Sequence, residues 1–226
     1  MKKLILIVAV AVLGVLTANA QIFVGGSVGL DIMGGNIKAG STSMNAPSIL
    51  AIQVAPKVGF NLSDDLAVGV EAGFSRLTRK TPNTALTDER KVSENEWQAG
   101  IFARYNLIGT DKLSLLLEGG LSVAGRSSKT TLNGINTDGN PIFIFAIRAL
   151  PVVSYNLSEK LNIELSCDFL RIGFEYLTWT QASDKNNGRS ATNFGLGVNS
   201  SNYNVDPANH FCAIAPLFRL GVVYKL

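Results

Sequence analysis

Residues 51–74 read AIQVAPKVGFNLSDDLAVGVEAGF, and residues 146–169 read AIRALPVVSYNLSEKLNIELSCDF. Laid together without a gap at an offset of 95, they share Ala51/Ala146, Ile52/Ile147, Pro56/Pro151, Val58/Val153, Asn61/Asn156, Leu62/Leu157, Ser63/Ser158, Leu66/Leu161 and Phe74/Phe169. A looser third copy lies between them: Arg104-Tyr105-Asn106-Leu107, a polar step over 108–112, then LSLLLEGGL from Leu113. Each copy is an alternating run, an aromatic-Asn-Leu stop, a short polar turn and a second alternating run. That is the pattern of a β-hairpin with a tight turn. One hairpin unit repeated at a spacing of about 50 residues points to an array or a closed sheet.

Working outward from the repeat, ascending strands are expected at about 22–32, 66–77, 113–125 and 161–177. Descending strands are expected at about 48–62, 95–107, 142–157 and 211–226. The connections alternate strictly. Those at 63–65, 108–112 and 158–160 are short, and those at 33–47, 78–94, 126–141 and 178–210 are long. All short turns therefore fall at one end. Eight antiparallel strands laid out in this way form an all-β, eight-stranded antiparallel transmembrane β-barrel. Closure removes the sheet edges, which lipid cannot satisfy. Residues 194–198, FGLGV, break the polarity of the fourth long loop and suggest an extra strand or a lid.

The first twenty residues carry Lys2 and Lys3, an apolar run from Leu4 to Leu16, and Ala18-Asn19-Ala20. A basic start, an apolar stretch too short to span a bilayer and small residues at the end make a secretory signal peptide, 1–20, followed by a barrel domain, 21–226. Removing Lys2 and Lys3 leaves 18 bases against 17 acids, about +1. With no basic cluster, this excludes a nucleic-acid partner. No apolar run after residue 20 is long enough for a membrane helix.

Period-two counting assigns the faces. One carries Ile52, Val54, Val58, Phe60, Leu66, Val68, Val70, Phe74, Leu113, Leu117, Leu121, Phe143, Ile147, Leu161, Leu165, Leu220, Val222 and Tyr224. The other carries Lys57, Glu71, Arg104, Glu118, Arg148, Glu164, Asp168 and Arg219, interleaved with Gly69, Gly73, Gly100, Gly120 and Gly221. A soluble sandwich would bury the apolar face, so alternation alone does not choose. Two features do. Phe60, Tyr105, Tyr155 and Tyr224 line up near the short turns, and Phe74, Trp97, Phe143, Phe169 and Phe211 line up about eight residues away. These match the aromatic girdles that flank an outward apolar band about 25 Å tall. The charges also alternate by strand. Acids lie on ascending strands and bases on descending ones, four of each, as a filled and paired interior requires. After Phe169 the apolar phase shifts to Leu170, Ile172, Phe174 and Tyr176, with Arg171 and Glu175 between, which implies a bulge or a strand already past the membrane. Pro56, Pro151 and Pro216 sit inside expected strands, where each removes a ladder donor and implies a local bulge.

The last eight residues, Arg219-Leu220-Gly221-Val222-Val223-Tyr224-Lys225-Leu226, resemble the terminal signal of bacterial outer-membrane barrels, with Leu226 where that family prefers Phe. With the signal peptide and eight strands, the whole mature chain is similar to small OmpA/OmpX-like outer-membrane β-barrels. The resemblance implies short periplasmic turns, long extracellular loops and outer-membrane lipid around the wall. It implies recognition of Arg219, Gly221, Tyr224 and Leu226 by the barrel-assembly machinery, and an extracellular ligand at the long loops. It leaves activity open, because such barrels include anchors, adhesins, small channels and lipid-modifying enzymes.

Candidate chemistry is sparse. His210 is the only histidine, and His210-Phe211-Cys212 faintly resembles the His-x-Ser of outer-membrane lipid A deacylases. No Asp or Glu follows it, so it reads as a loop histidine. With one histidine there is no multi-histidine zinc site. Cys167 and Cys212 are expected as free thiols, since pairing Leu161 with about Leu226 sets Cys167 opposite about Leu220, eight residues from Cys212. Asn61-Leu62-Ser63 and Asn156-Leu157-Ser158 read as turn signatures. The first expectation is a non-enzymatic barrel without metal or cofactor, its interior closed by salt bridges. A small passive channel is the second, a lipid-modifying enzyme the third and a secreted soluble β-sandwich the fourth.

Overall fold

The computed structural model describes residues 21–39, 42–82, 89–181, 184–196 and 218–226. The expected signal peptide, Phe211, His210, Cys212 and Pro216 lie outside the described residues, as does the side chain of Phe169.

Eight strands form the wall: Ile22–Met33, Ser48–Asn61, Leu66–Pro82, Glu89–Gly109, Leu113–Leu132, Ile142–Asn156, a seventh in two pieces (Leu161–Cys167 and Ile172–Gln181), and Phe218–Lys225. Every strand pairs antiparallel with the next, and the eighth pairs with the first, Phe23 opposite Lys225 through Val28 opposite Leu220. The ring is closed. Following the ladders once around it returns about ten residues displaced along the first strand, a stagger that tilts the strands by about 40°. Smaller strands at Asn36–Ala39, Thr42–Asn45 and Ile135–Asp138 belong to the long connections. A thirteen-residue strand, Asp184–Leu196, lies against the upper half of the seventh. Part of the expected apolar insertion, Phe194 to Leu196, is therefore an extra strand.

The three short turns close in the same way, which is why the sequence writes one hairpin three times. Leu66, Leu113 and Leu161 each donate their N–H to a hydroxyl three residues earlier, Ser63 Oγ, Thr110 Oγ1 and Ser158 Oγ, each at 3.1 Å. The Asn that ends each descending strand then ties its turn to the next. Asn61 N–H bonds to Gln21 O, Asn106 N–H to Asp65 O, and Asn156 N–H to Lys112 O. A serine or threonine hydroxyl at this position mimics a backbone turn.

The faces are those of the alternation. Val58, Val70, Ile101, Leu121, Ile147 and Val222 are exposed on the outer wall, while all eight charges of the polar face are buried. Phe74 stands opposite Trp97, Trp97 opposite Gly125 and Gly125 opposite Phe143, one contiguous upper girdle. The Trp97 ring lies over Gly125, where an added Cβ would come within 2.6 Å of it. Tyr105, Tyr155 and Tyr224 are exposed at the short-turn end. Eight residues of strand separate Tyr105 from Trp97, about 20 Å once tilt is allowed for.

The seventh strand carries the irregularity. Ser166 is opposite Val152 but Ile172 is opposite Ala149, so three extra residues enter on the seventh strand. They form a single 3-10 turn, Asp168–Leu170. An odd insertion inverts the parity of everything above it. Glu164 and Ser166 face inward below the turn, Asp168 faces inward at its start, and Arg171, Glu175 and Leu177 face inward above it. Pro151, which has no N–H to give, stands beside the interruption. At Pro56 the ladder to the third strand lapses without a change of register, Val54 opposite Phe74 and Lys57 opposite Glu71, so the bulge expected there is absent. The register also places Leu161 opposite Tyr224 rather than Leu226, and Cys167 opposite Phe218.

Inner glycines make room for rings. A Cβ at Gly59 would run into the Phe23 ring, and one at Gly69 would meet the Phe102 ring at 2.5 Å. Phe23 and Phe102 face each other at 6.3 Å between centroids and form an inner apolar cluster with Ala67 and Val223. Gly69→Val should therefore overpack this layer and destabilise the barrel by about 1–3 kcal/mol in urea unfolding. Gly119→Ala, where an added Cβ has nothing nearer than 3.8 Å, should stay within about 0.5 kcal/mol of the parent.

Candidate functional site

Eight strands leave an interior only wide enough for side chains, and here those side chains are charged. Lys57 Nζ donates to Glu118 Oε2 at 2.9 Å, and Arg104 Nε donates to the same oxygen at 2.7 Å. The other edge of the Arg104 guanidinium grips Glu164 with two parallel bonds, Nη1 to Oε1 at 2.7 Å and Nη2 to Oε2 at 2.8 Å. That fork is the geometry guanidinium and carboxylate share, with charge assistance on both bonds. Arg148 Nη2 donates to Glu71 Oε1. Near the interruption of the seventh strand, Asp168 accepts from Arg219 Nε at 2.5 Å through one oxygen and from Arg171 Nη2 at 2.5 Å through the other. Higher still, Arg126 Nε and Nη2 both donate to Glu96 Oε2, at 2.9 and 2.7 Å.

Residue by residue, the structure brings together all eight charges expected on the inner face: Lys57, Glu71, Arg104, Glu118, Arg148, Glu164, Asp168 and Arg219. The pairing differs from the expected one. Neighbouring strands supply Arg104–Glu118 and Arg219–Asp168. Three other bridges cross the lumen instead. Lys57 and Glu118, Arg104 and Glu164, and Arg148 and Glu71 each join strands three apart around the ring. Lys57 has Glu71 directly opposite in register, yet its ammonium is on Glu118 across the barrel. In a lumen this narrow, a long side chain reaches the far wall as easily as the next strand.

Sequence reasoning missed Arg171, Glu175, Arg126 and Glu96, all turned inward. The phase shift after Phe169 sets Arg171 and Glu175 between the apolar positions, but a strand already past the membrane is an alternative to a bulge, so they are not counted among the inner charges from the sequence. Glu96 lies within the strand expected at 95–107 and has the parity of Gln98 and Arg104, so period-two counting already reaches it; Arg126 has the parity of Glu118 and Ser122 and is reached once the strand is carried past 125.

Aromatic rings back the charges. Arg104 lies 5.7 Å from the Phe23 centroid and 5.5 Å from that of Phe102, and the Lys57 ammonium lies 5.6 Å from Phe102. Cations so placed gain from the ring quadrupole, more when desolvated. On either side of the bridges the lumen holds polar space. A cavity of about 170 Å³ opens at the short-turn end, lined by Asp65, Asn106, Asn162 and Lys225 among others. A smaller one of about 30 Å³ lies above, lined by Gln98, Ser122, Arg148 and Glu175. Among the described residues no three His, Cys, Asp or Glu side chains gather as a metal ion would require.

Fold and interior together define a closed eight-stranded antiparallel barrel with inverted polarity, apolar outside and ionised inside. No protein-family model and no curated protein matches the chain. Among solved structures it is similar to Neisserial surface protein A, at 13% identity and TM-score 0.40 over 91% of this chain and 97% of that one. It is similar to a major outer membrane protein from Thermus thermophilus, at 14% and 0.44 over 92% and 99%. A third is Ail, the attachment invasion locus protein of Yersinia pestis, at 13% and 0.38 over 92% and 97%.

Glu118 holds two bases, so its loss takes the carboxylate from Lys57 and leaves Arg104 with Glu164 alone. Glu118→Gln should cost about 3–5 kcal/mol, the scale on which a buried pair fails when one partner goes. Asp138→Asn, which removes an exposed 3.6 Å contact to Lys129, should cost no more than about 1 kcal/mol. Urea unfolding of the two variants side by side measures the difference.

Proposed function

We propose that this chain is an integral protein of the bacterial outer membrane. In this reading it is non-enzymatic, its lumen is sealed to ions, and its long connections stand at the cell surface for contact or adhesion. The single observation that carries this reading is the inversion of the faces. Glu118, Glu164 and Arg219 are 3% exposed inside the wall, while Ile101 and Val70 are 56% exposed outside it. In water that arrangement loses the hydrophobic contribution of the outer face and costs desolvation inside as well. In a bilayer the outer face is solvated by lipid, and the girdles sit at its two boundaries. The bridge layer supports closure, because its three crossing bridges occupy the narrow lumen from wall to wall.

The short turns are assigned to the periplasm and the long connections to the outside. Export through residues 1–20 and recognition of the eighth strand by the assembly machinery belong to the same reading. Tyr224 faces outward, Arg219 is on the inner network, and a Cβ at Gly221 would come within 2.9 Å of Gly26 O across the closing seam. Tyr224→Ala and Gly221→Val should each lower the amount of heat-modifiable protein recovered with outer membranes. Normal recovery of both would remove the assembly role, and recovery of the parent protein as a soluble periplasmic species would overturn the membrane reading.

The second reading is a small passive channel, favoured by the polar cavities above and below the bridges. Planar-bilayer conductance separates the two. A sealed lumen gives no steps in the parent protein and a leak in Glu118→Gln. Steps in the parent would favour the channel.

A further inference from the structure

Beneath the bridge layer the lining of the lumen changes from ion pairs to neutral polar groups, and two of its acceptors have no donor. Asn106 lies two residues below Arg104 on the fourth strand, and Asn162 two residues below Glu164 on the seventh. Arg104 and Glu164 join across the lumen, so the two asparagines stand on facing strands under that bridge. Both line the cavity of about 170 Å³ at the short-turn end. Asn162 is 8% exposed, and its Oδ1 has no hydrogen-bond partner; the Oδ1 of Asn106 is likewise buried and without one. Donors close by are committed elsewhere. Arg104 gives Nε to Glu118 and both terminal nitrogens to Glu164, and Asn156 Nδ2 donates to Asp111 O. A buried acceptor left without a donor is costly, so the pair marks a place for a donor from outside the chain.

Charge and shape narrow that donor. Asp64, Asp65 and Glu164 line the cavity against Arg104 and Lys225, three carboxylates against two cations, which leaves an excess of one negative charge. Ser114 and Ser154, opposite each other on the fifth and sixth strands, add hydroxyls to the same lining. Phe23, Leu116 and Val223 give it an apolar wall. A divalent metal ion draws on several carboxylates, and among the described residues His, Cys, Asp and Glu side chains do not gather in threes. An alkylammonium instead carries three N–H donors on one cationic head, with an apolar tail behind it.

We propose that this cavity binds a small primary amine in its ammonium form. Its head donates to Asn106 Oδ1 and Asn162 Oδ1, and its alkyl chain lies on Phe23, Leu116 and Val223. Asp64 and Asp65, exposed at the short turn, raise the local concentration of cations. The site goes beyond the membrane reading and does not rest on it; that reading supplies only the address, the periplasmic side of the bridges.

The test uses the full mature chain refolded in zwitterionic detergent micelles and titrated with n-butylammonium chloride. Affinity is read by ligand-observed NMR, and position by the side-chain amide resonances of isotope-labelled asparagine. The parent should bind saturably, with shifts at Asn106 and Asn162, and Asn106→Leu/Asn162→Leu should bind at least about tenfold more weakly, since each lost bond is to a charged donor. Tetramethylammonium, which has the charge without an N–H, and n-butanol, which lacks the charge, should both bind far more weakly to the parent. Absence of saturable binding would mean that the cavity holds water only and would overturn the site. Equal binding by the double variant, equal binding of tetramethylammonium or n-butanol, or displacement by equimolar potassium would each overturn the amine assignment. The heat-modifiable gel shift is read in parallel on both proteins. A normal shift without amine binding sinks this site alone and leaves the membrane reading standing.

Discussion

The structure depends on keeping ionised side chains paired inside a space too narrow to hydrate them fully. Once eight strands close, the inward charges find partners among one another, because the narrow lumen desolvates them and an unpaired buried ion costs several kcal/mol. Arg104 shows how the requirement is met. Its guanidinium takes Glu118 on one edge and Glu164 on the other, while Lys57 takes the remaining reach of Glu118. Four side chains from the second, fourth, fifth and seventh strands are thereby linked into one object. Their strands are held at fixed separations and fixed register by more than the ladder alone.

The outside of the wall imposes the complementary constraint. Its outward residues make few contacts with the rest of the chain, so by themselves they add little to stability. What the chain supplies itself is closure, the girdles and the turns. The hydroxyls of Ser63, Thr110 and Ser158 set three turns with one local rule, and glycines at 59 and 69 let two phenylalanines fill the barrel beneath the charges.

Much of this was legible in the sequence because a period of two is the simplest pattern a chain can carry. The repeat at 51–74 and 146–169 gave the hairpin unit, the alternation of connection lengths gave strand order, and parity gave all eight inner charges. Parity is also where legibility ended. It states which face a residue occupies but not which of the facing strands its side chain reaches. Lys57 was therefore expected near its strand neighbours and is found on Glu118 across the lumen. A three-residue insertion at Asp168–Leu170 inverts the count; the sequence shows the phase shift but does not tell a bulge from a strand that has left the membrane, so Arg171 and Glu175 are not counted inside from it. Phe23 and Phe102 turn inward although they are apolar; parity sets Phe102 with Gly100 and Arg104, and Gly59 and Gly69 leave the space for the two rings.

The central claim is that charges face in and apolar side chains face lipid. Spin labels on single cysteines placed along the third strand from Val68 to Phe74, in a background lacking Cys167 and Cys212, test it most directly in bilayers. The account predicts an alternation in collision rates: high with oxygen and low with a water-soluble relaxant at positions 68, 70, 72 and 74, and low with oxygen at 69, 71 and 73. An alternation of the opposite phase, or none at all, would contradict it.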